Sequence, residues 1–396
     1  MATVRSILGR AARRWLCRPP YVHHCAQTLY KALQGCVRMW RVTCENVWRA
    51  RAQSVLWRLV RVQHQDGGFD IGYDFSFGQP HRAGESQSSE TTALLAMAES
   101  GREFGLDEVR KPCQRAAEWI RRNAVRTRSG GWALPYAPAT TLEVAIPNGT
   151  SFGAAALGVY IGTFGGDDAL RDLYAGMVDY LWAAMAVAEG TPGRFWPYHD
   201  PTWPALPADR PEKIDYYHQV QQVEVHALAQ QLAPLPRQLD VIREAADHIV
   251  AVQRSQGVLP YCNDDRFFDG LIHTWGLCSV VSGMIEAAIV LPDRRDLYLE
   301  TGKFQLDWFV RHAWNGEFFY DVLTPEGKPY STDYMVRSDA WVFQAVARAF
   351  LCWRDPVCAE IAEKCYRKME SVDFSGPEKH GKRWTQQFLE RFQRRA

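Results

Sequence analysis

A glycine closely followed by an aromatic residue recurs six times along the chain. The instances are Gly68-Phe69, Gly131-Trp132, Gly193 with Phe195 and Trp196, Gly257 with Tyr261, Gly316 with Phe318, and Gly381 with Trp384. The spacings are 63, 62, 64, 59 and 65 residues. So even a period marks an array of one supersecondary unit, in which no unit buries its apolar face alone and stacked neighbours supply the core. A chain of 396 residues would otherwise be expected to divide into two or more compact domains.

Each glycine follows a segment with helical periodicity, roughly 45–64, 107–124, 168–188, 236–256, 294–313 and 355–371. In the second, Val109, Cys113, Ala116, Ala117 and Ile120 repeat at three- and four-residue steps, one face of a helix. A glycine just beyond such a run reads as a helix C-cap. A loop rich in Pro, Tyr, Asp and Gly comes next, then a second helix of small and apolar residues, as over 89–98, 150–157 and 338–346. Small side chains let helices approach closely, as an inner ring must, whereas Glu118, Arg121 and Arg122 keep an outer helix in water. The expected fold is all-α: an (α/α)6 toroid of six helical hairpins over residues 45–396, with an extra helical segment at 1–44. Strand alternation is scarce, so β structure is confined to short hairpins in the long loops.

Hydrophobic residues at 47% and charged residues at 23% exclude a disordered chain, and a net charge of +1 excludes a surface built throughout for nucleic acid. The charge is uneven. Residues 1–60 hold eleven Lys and Arg against Glu45 alone, so the remainder is acidic. Two readings compete. One is a peripheral patch for an anionic membrane or an acidic partner; the other is a segment whose arginines pack against the acidic remainder. None of the ten cysteines forms a C-x-x-C pair, and no secretory leader is recognisable, so the thiols are expected to be reduced in the cytoplasm. The most apolar stretch, 276–291, is interrupted by Glu286 and is too short for a bilayer.

Gln63-His-Gln-Asp-Gly-Gly-Phe69, followed by Ser88-Ser-Glu-Thr-Thr-Ala-Leu-Leu-Ala96, resembles the repeat of the terpenoid cyclase and protein prenyltransferase toroids. The chain also resembles toroid proteins of exopolysaccharide biosynthesis and the α/α toroids of polysaccharide lyases and glycoside hydrolases. These groups share a fold and not a reaction. The resemblance implies an active site at the mouth of a central funnel, where the inner helices begin.

Unusual residues cluster at those helix starts: Glu85 and Glu90; Asn148 and Ser151; Tyr216, Tyr217, His218, Gln221, Gln222, Glu224 and His226; His273 and Trp275; and Tyr334, Arg337, Asp339 and Trp341. The loops add Tyr198, His199, Tyr261, Asp264 and Asp265. Helix capping explains a Ser or a carboxylate in such a place, but not a histidine, an arginine and tryptophans at one level. His273, Glu224, Asp339, Asp264 and Glu90 are the expected catalytic groups. Arg337, Tyr334, Trp341, Trp275, Tyr198, His199, Tyr217, His218, Tyr261 and Asp265 are expected to hold substrate. Aromatic faces beside hydrogen-bonding groups suit an oligo- or polysaccharide.

The reading is therefore a glycoside hydrolase or a lyase or epimerase of polysaccharide metabolism. The alternatives are a non-catalytic glycan- or lipid-binding toroid, or an isoprenoid cyclase. The last would carry an Asp-x-Asp-Asp acid motif, and Cys262 stands where its first Asp belongs. Ala340 and Trp341 follow Asp339 where a prenyltransferase zinc site would have Asp-x-Cys, so neither metal nor cofactor is expected.

Overall fold

The computed structural model describes residues 26–372, apart from 73–74, 78, 82–83, 129, 139–145, 201–213, 264–269, 331 and 333. Within this span the chain forms six hairpins, each an inner helix, a short connection and an outer helix. They are α1 (Ala26–Thr43) with α2 (Asn46–Arg61), α3 (Thr92–Phe104) with α4 (Arg110–Asn123), and α5 (Pro147–Phe164) with α6 (Asp168–Ala183). The other three are α7 (Tyr216–Gln230) with α8 (Pro236–Gln256), the interrupted pair α9 (Thr274–Leu277) and α10 (Ser279–Val290) with α11 (Arg295–His312), and α12 (Val336–Trp353) with α13 (Pro356–Ser371). Neighbouring inner helices pack in the cyclic order α1, α3, α5, α7, α10, α12, and α12 packs back on α1 to close the ring. The toroid is complete within the described residues.

The inner helices are sequestered as their composition demands. α5 and α10 are Gly-, Ala- and Val-rich and buried nearly all round. The closure between α12 and α1 depends on Gly35, where a Cβ would collide with the Phe343 ring. Outer helices bury one face only. Asp167 caps α6 by accepting from Leu170 N at 2.8 Å, and Asp355 caps α13 by accepting from Val357 N at 2.9 Å.

The repeat glycines act differently from the expected C-caps. Only Gly257 directly follows its helix. Gly67, beside the repeat glycine Gly68, and Gly193 lie in the turns beyond, at φ of 95° and 78°, where a Cβ would collide with the backbone of the next outer helix at Arg115 and Glu244. At the first three turns the repeat thus records where the turn is pressed onto the next hairpin, whereas Gly257 and Gly316 face open space.

The connections within hairpins are short, and those between hairpins are long and all lie at the end where the inner helices begin. They hold two-stranded antiparallel ribbons: β1 (Phe75–Phe77) with β2 (Gln79–His81), β3 (Val125–Arg126) with β4 (Trp132–Ala133), and β5 (Ala186–Val187) with β6 (Arg194–Phe195). A fourth ribbon, β7 (Ile272–His273) with β8 (Val322–Leu323), joins two successive loops and pairs His273 with Val322.

Residues 26–43 are not an extension outside the ring. α1 is its first inner helix, buried from Ala26 to Met39. Much of the basic surplus of the described N-terminal region is neutralised within the protein. Lys31 Nζ lies 3.3 Å from Glu224, Arg38 lies within 4 Å of Glu224 and Glu286, and Arg41 bonds Glu99 and Glu103 at 3.0 and 2.7 Å. Arg51 on α2 pairs with Glu363 at 2.7 Å. Among the described residues no helix is long and apolar enough to cross a membrane.

Candidate functional site

The inner-helix starts surround a cup at the mouth of the ring, where a cavity of about 190 Å³, its solvent-open side included, is lined by Asn148, Tyr198, Asp215, His218 and Gln222 among others. An unbroken chain of rings lines the cup. Tyr198 stacks on His218 at 5.8 Å, and Tyr217 lies 3.8 Å from His218, 4.3 Å from Tyr261 and 5.2 Å from Trp275. Tyr261 lies 4.5 Å from His273, Trp275 meets Trp341 edge-on at 5.9 Å, and Trp341 meets Tyr30 at 6.3 Å. Backbone pairing sets this arrangement. Tyr216 N donates to Tyr261 O, which holds the start of α7 against the next loop, and Thr274 N donates to Asp321 O, which locks the His273 segment onto the loop before α12.

Ionisable groups punctuate the belt. His218 Nδ1 lies 3.2 Å from the buried Asp215 carboxylate, within ion-pair distance when the ring is protonated. Trp275 Nε1 donates to His273 Nδ1 at 3.3 Å. Burial, then the nearby Arg337 cation, holds His273 neutral, with its pKa down at about 3. Its proton therefore sits on Nε2, making it a hydrogen-bond donor. The Arg337 guanidinium lies 4.7 Å over the Trp275 ring and is electrostatically coupled to Glu90 and Asp321. Glu90 is fully buried and accepts from Gln27 at 2.7 Å and Ser89 at 3.2 Å. Burial raises its pKa to about 8, and the Asp70 charge adds to the rise, so the carboxyl is protonated at neutral pH.

Below the belt the axis is closed. In a ring of six hairpins the first and fourth face each other, and Lys31 from α1 meets Glu224 from α7 across the axis. Lys31 also lies 4.1 Å under the Trp341 ring, and Gln344 donates to Glu224 at 2.5 Å. Deeper still, Arg348 pairs with Glu286 at 2.5 Å and Gln231 donates to Glu286 at 2.8 Å. The cup thus has a floor of fixed charges.

Between floor and rim lie buried polar atoms with no hydrogen-bond partner in the protein among the described residues. They are Gln27 Oε1, Thr28 Oγ1, both amide atoms of Gln87, Glu90 Oε2, both amide atoms of Asn148, Gln221 Nε2 and Trp341 Nε1. They come from the starts of five of the six inner helices. Buried polar groups are normally paired, so a cluster left open from five directions calls for an explanation.

The sequence-predicted residues divide accordingly. Glu90, Tyr198, Tyr217, His218, Tyr261, His273, Trp275, Arg337 and Trp341 gather on the cup, and His199 packs edge-on against Tyr198 at 4.6 Å. Glu224 lies beneath the cup, where Lys31 and Gln344 occupy its two oxygens, so it is a structural charge and not an available catalytic carboxylate. Asp339 and Tyr334 turn away from the axis. Asp339 accepts from Phe319 N and from the Tyr334 hydroxyl, both at 3.3 Å, and interacts with Cys365 on outer helix α13. Asp264 and Asp265 lie outside the described residues. Gln27, Thr28, Lys31, Gln87, Asp215 and Asp321 belong to the site or its supports and were not expected from sequence. Asp321 accepts a hydrogen bond from Ser338 and is electrostatically coupled to Arg337.

No family model and no curated protein matches the sequence. Solved structures do match the fold. A cellobiose 2-epimerase from Spirochaeta thermophila superposes with a TM-score of 0.60 at 15% identity, covering 87% of this chain and 86% of that one. A family 76 glycoside hydrolase (mannosidase) from Bacteroides thetaiotaomicron gives 0.60 at 15% identity over 84% and 88%. An unsaturated glucuronyl hydrolase from Bacillus sp. GL1 gives 0.52 at 12% identity over 81% and 85%. The fold is the (α/α)6 toroid. At such identities the likeness carries architecture and no residue's role.

Proposed function

We propose that the protein is a carbohydrate-processing enzyme whose cup holds a sugar unit of an oligo- or polysaccharide. The observation that carries this reading is the ring of unpartnered buried polar atoms beside an aromatic wall. A pyranose has an apolar face to stack and a rim of hydroxyls that both donate and accept, matching the rings of Trp275 and Trp341 and the unpartnered atoms of Gln87, Asn148, Gln221 and Glu90. An isoprenoid would leave those atoms facing hydrocarbon, at a cost of about 1–3 kcal/mol each. The three neighbours named above, an epimerase and two glycoside-cleaving enzymes, support a carbohydrate substrate.

The chemistry is acid–base. Glu90 supplies a proton at neutral pH, and His218, beside Asp215, accepts one. Hydrolysis would need a second available carboxylate beside Glu90. Among the described residues the carboxylate coupled to Glu90 is Asp70, which accepts from Gly84 N. This favours proton abstraction from carbon, the chemistry of an epimerase or lyase, with Arg337 beside the developing charge. Cytoplasmic residence belongs to the same reading; among the described residues no two cysteines are joined in a disulfide.

The test is a panel of neutral and acidic disaccharides followed by tryptophan fluorescence for binding and by proton NMR in deuterated water for turnover. Binding with deuterium incorporation at a ring carbon is expected. Glu90→Gln and His218→Ala should each lower turnover by roughly 10²–10⁴-fold while leaving affinity within a few-fold. Binding without product across the panel would make the protein a glycan-binding toroid, and no quenching by any saccharide would remove the reading altogether.

A further inference from the structure

The six outer helices differ sharply in charge. α2 carries four arginines and no acid, and α4 carries five cations and one acid. In α8, α11 and α13 acids and cations balance, and in α6 acids outnumber cations. The positive wall therefore falls on two adjacent hairpins. Outer helices end at the cup's mouth, so the C-terminal turns of α2 and α4 lie on its rim, and the β3–β4 ribbon continues the tract. Arg61, Arg115, Arg121, Arg122, Arg126 and Arg128 are exposed there.

Two nearby acids offset only part of the tract. Asp66 accepts from Gly68 N, Ser86 and Trp119, and Glu118 pairs with Arg121 at 2.7 Å, which leaves the cations in excess. Inside the cup Arg337 is electrostatically coupled to Asp321, and Lys31 pairs with Glu224.

We infer that this rim tract binds the carboxylates of an acidic polysaccharide, a polyuronate, whose terminal or internal unit occupies the cup. The inference rests on the carbohydrate reading and specifies its substrate class. A polymer seated in a closed-bottomed cup must leave it over the rim, and planar guanidinium forks match carboxylates bidentately. None of the large apolar side chains exposed among the described residues falls on this tract, so it has nothing to insert into a bilayer.

The experiment is affinity electrophoresis of the full chain in gels containing polygalacturonate or neutral dextran, repeated with single-stranded DNA and with phosphatidylserine vesicles. The variant combines Arg61→Gln, Arg121→Gln and Arg128→Gln, checked for an unchanged melting temperature. Retardation by polygalacturonate and not by dextran is expected, weakening about tenfold or more in the variant, with a shallower salt dependence. Absence of retardation at about 50 mM salt, equal retardation of variant and parent, or tighter association with DNA or vesicles than with polygalacturonate would each overturn the inference. Fluorescence quenching by a neutral disaccharide reads the cup alone. Its loss with polygalacturonate binding intact would sink the carbohydrate reading of the cup and leave the rim tract standing, and the reverse result would sink only the tract.

Discussion

At Glu90 five influences meet: full burial, a hydrogen bond from Gln27, the nearby Asp70 charge, a hydrogen bond from Ser89 and the Arg337 cation. Burial dominates, so the carboxyl stays protonated up to a pKa of about 8. A general acid of that pKa delivers activity on its acidic side and loses it as the proton leaves. Turnover should therefore fall as pH rises through about 8, and the residual activity of Glu90→Gln should show no such limb. A kcat profile from pH 6 to 10 decides this; a limb that survives in the variant belongs to another group. Asp215 acts one step back, on His218 Nδ1. Asp215→Asn would remove the charge that pairs with the protonated ring, so kcat should fall at least tenfold with KM little changed, and a matching rise in KM would make Asp215 merely part of the wall.

Among the elements α1 has the most to support. Its axis-facing residues Gln27, Lys31, Gln34, Arg38 and Arg41 follow steps of four, three, four and three. The same steps bring Tyr217, Gln221, Glu224, Leu228 and Gln231 of α7, and Arg337, Trp341, Gln344, Arg348 and Leu351 of α12, to the axis. Removing Lys31 leaves Glu224 with the Arg38 guanidinium at 3.9 Å and the Gln344 amide, so the loss should fall below that of a wholly stranded buried charge, about 3–5 kcal/mol. Lys31→Met should lower the urea midpoint accordingly, and the double variant Lys31→Met/Glu224→Met should recover much of the loss. A double-variant loss equal to the sum of the losses in Lys31→Met and Glu224→Met would show that the pair is not coupled.

This element also marks the limit of what the sequence discloses. Helical hairpins, their small-residue inner faces and the aromatic belt are local patterns, and residues such as Ala154–Leu157, Trp275 and Trp341 report them directly. The role of α1 depends on closure between the two ends of the chain. Its cations resemble a solvated or membrane-facing surface until Glu224 and Glu286, nearly two hundred residues or more away, are brought against them. The direction of Asp339 was hidden for a similar reason, because its partner Cys365 lies on an outer helix that comes later in the chain. A stripe of polar residues at alternating steps of four and three, shared by α1, α7 and α12, was the available signal for the axis.

For the whole molecule, the buried groups set how stability responds to pH. Burial holds His226 and His273 at about 3 and His248 at about 4, against an ordinary value of 6.5. The native state then binds fewer protons than the unfolded chain below 6.5, so their contribution is fully present above that pH and is lost on acidification. Glu90 at about 8 and Asp339 at about 7 act oppositely. They stay protonated in the native state where the unfolded carboxyls have ionised, so stability falls as pH rises from about 4.5 through 7 and 8. Burial raises Asp321 too, so it acts with them. The histidines oppose the acids below about 6.5, and above it the acids prevail. The combined variant Glu90→Gln/Asp339→Asn should therefore flatten the alkaline decline and leave the acid limb in place. Urea midpoints at half-unit steps from pH 5 to 9 would show this, and an alkaline decline of the same slope in the variant would assign it to other groups.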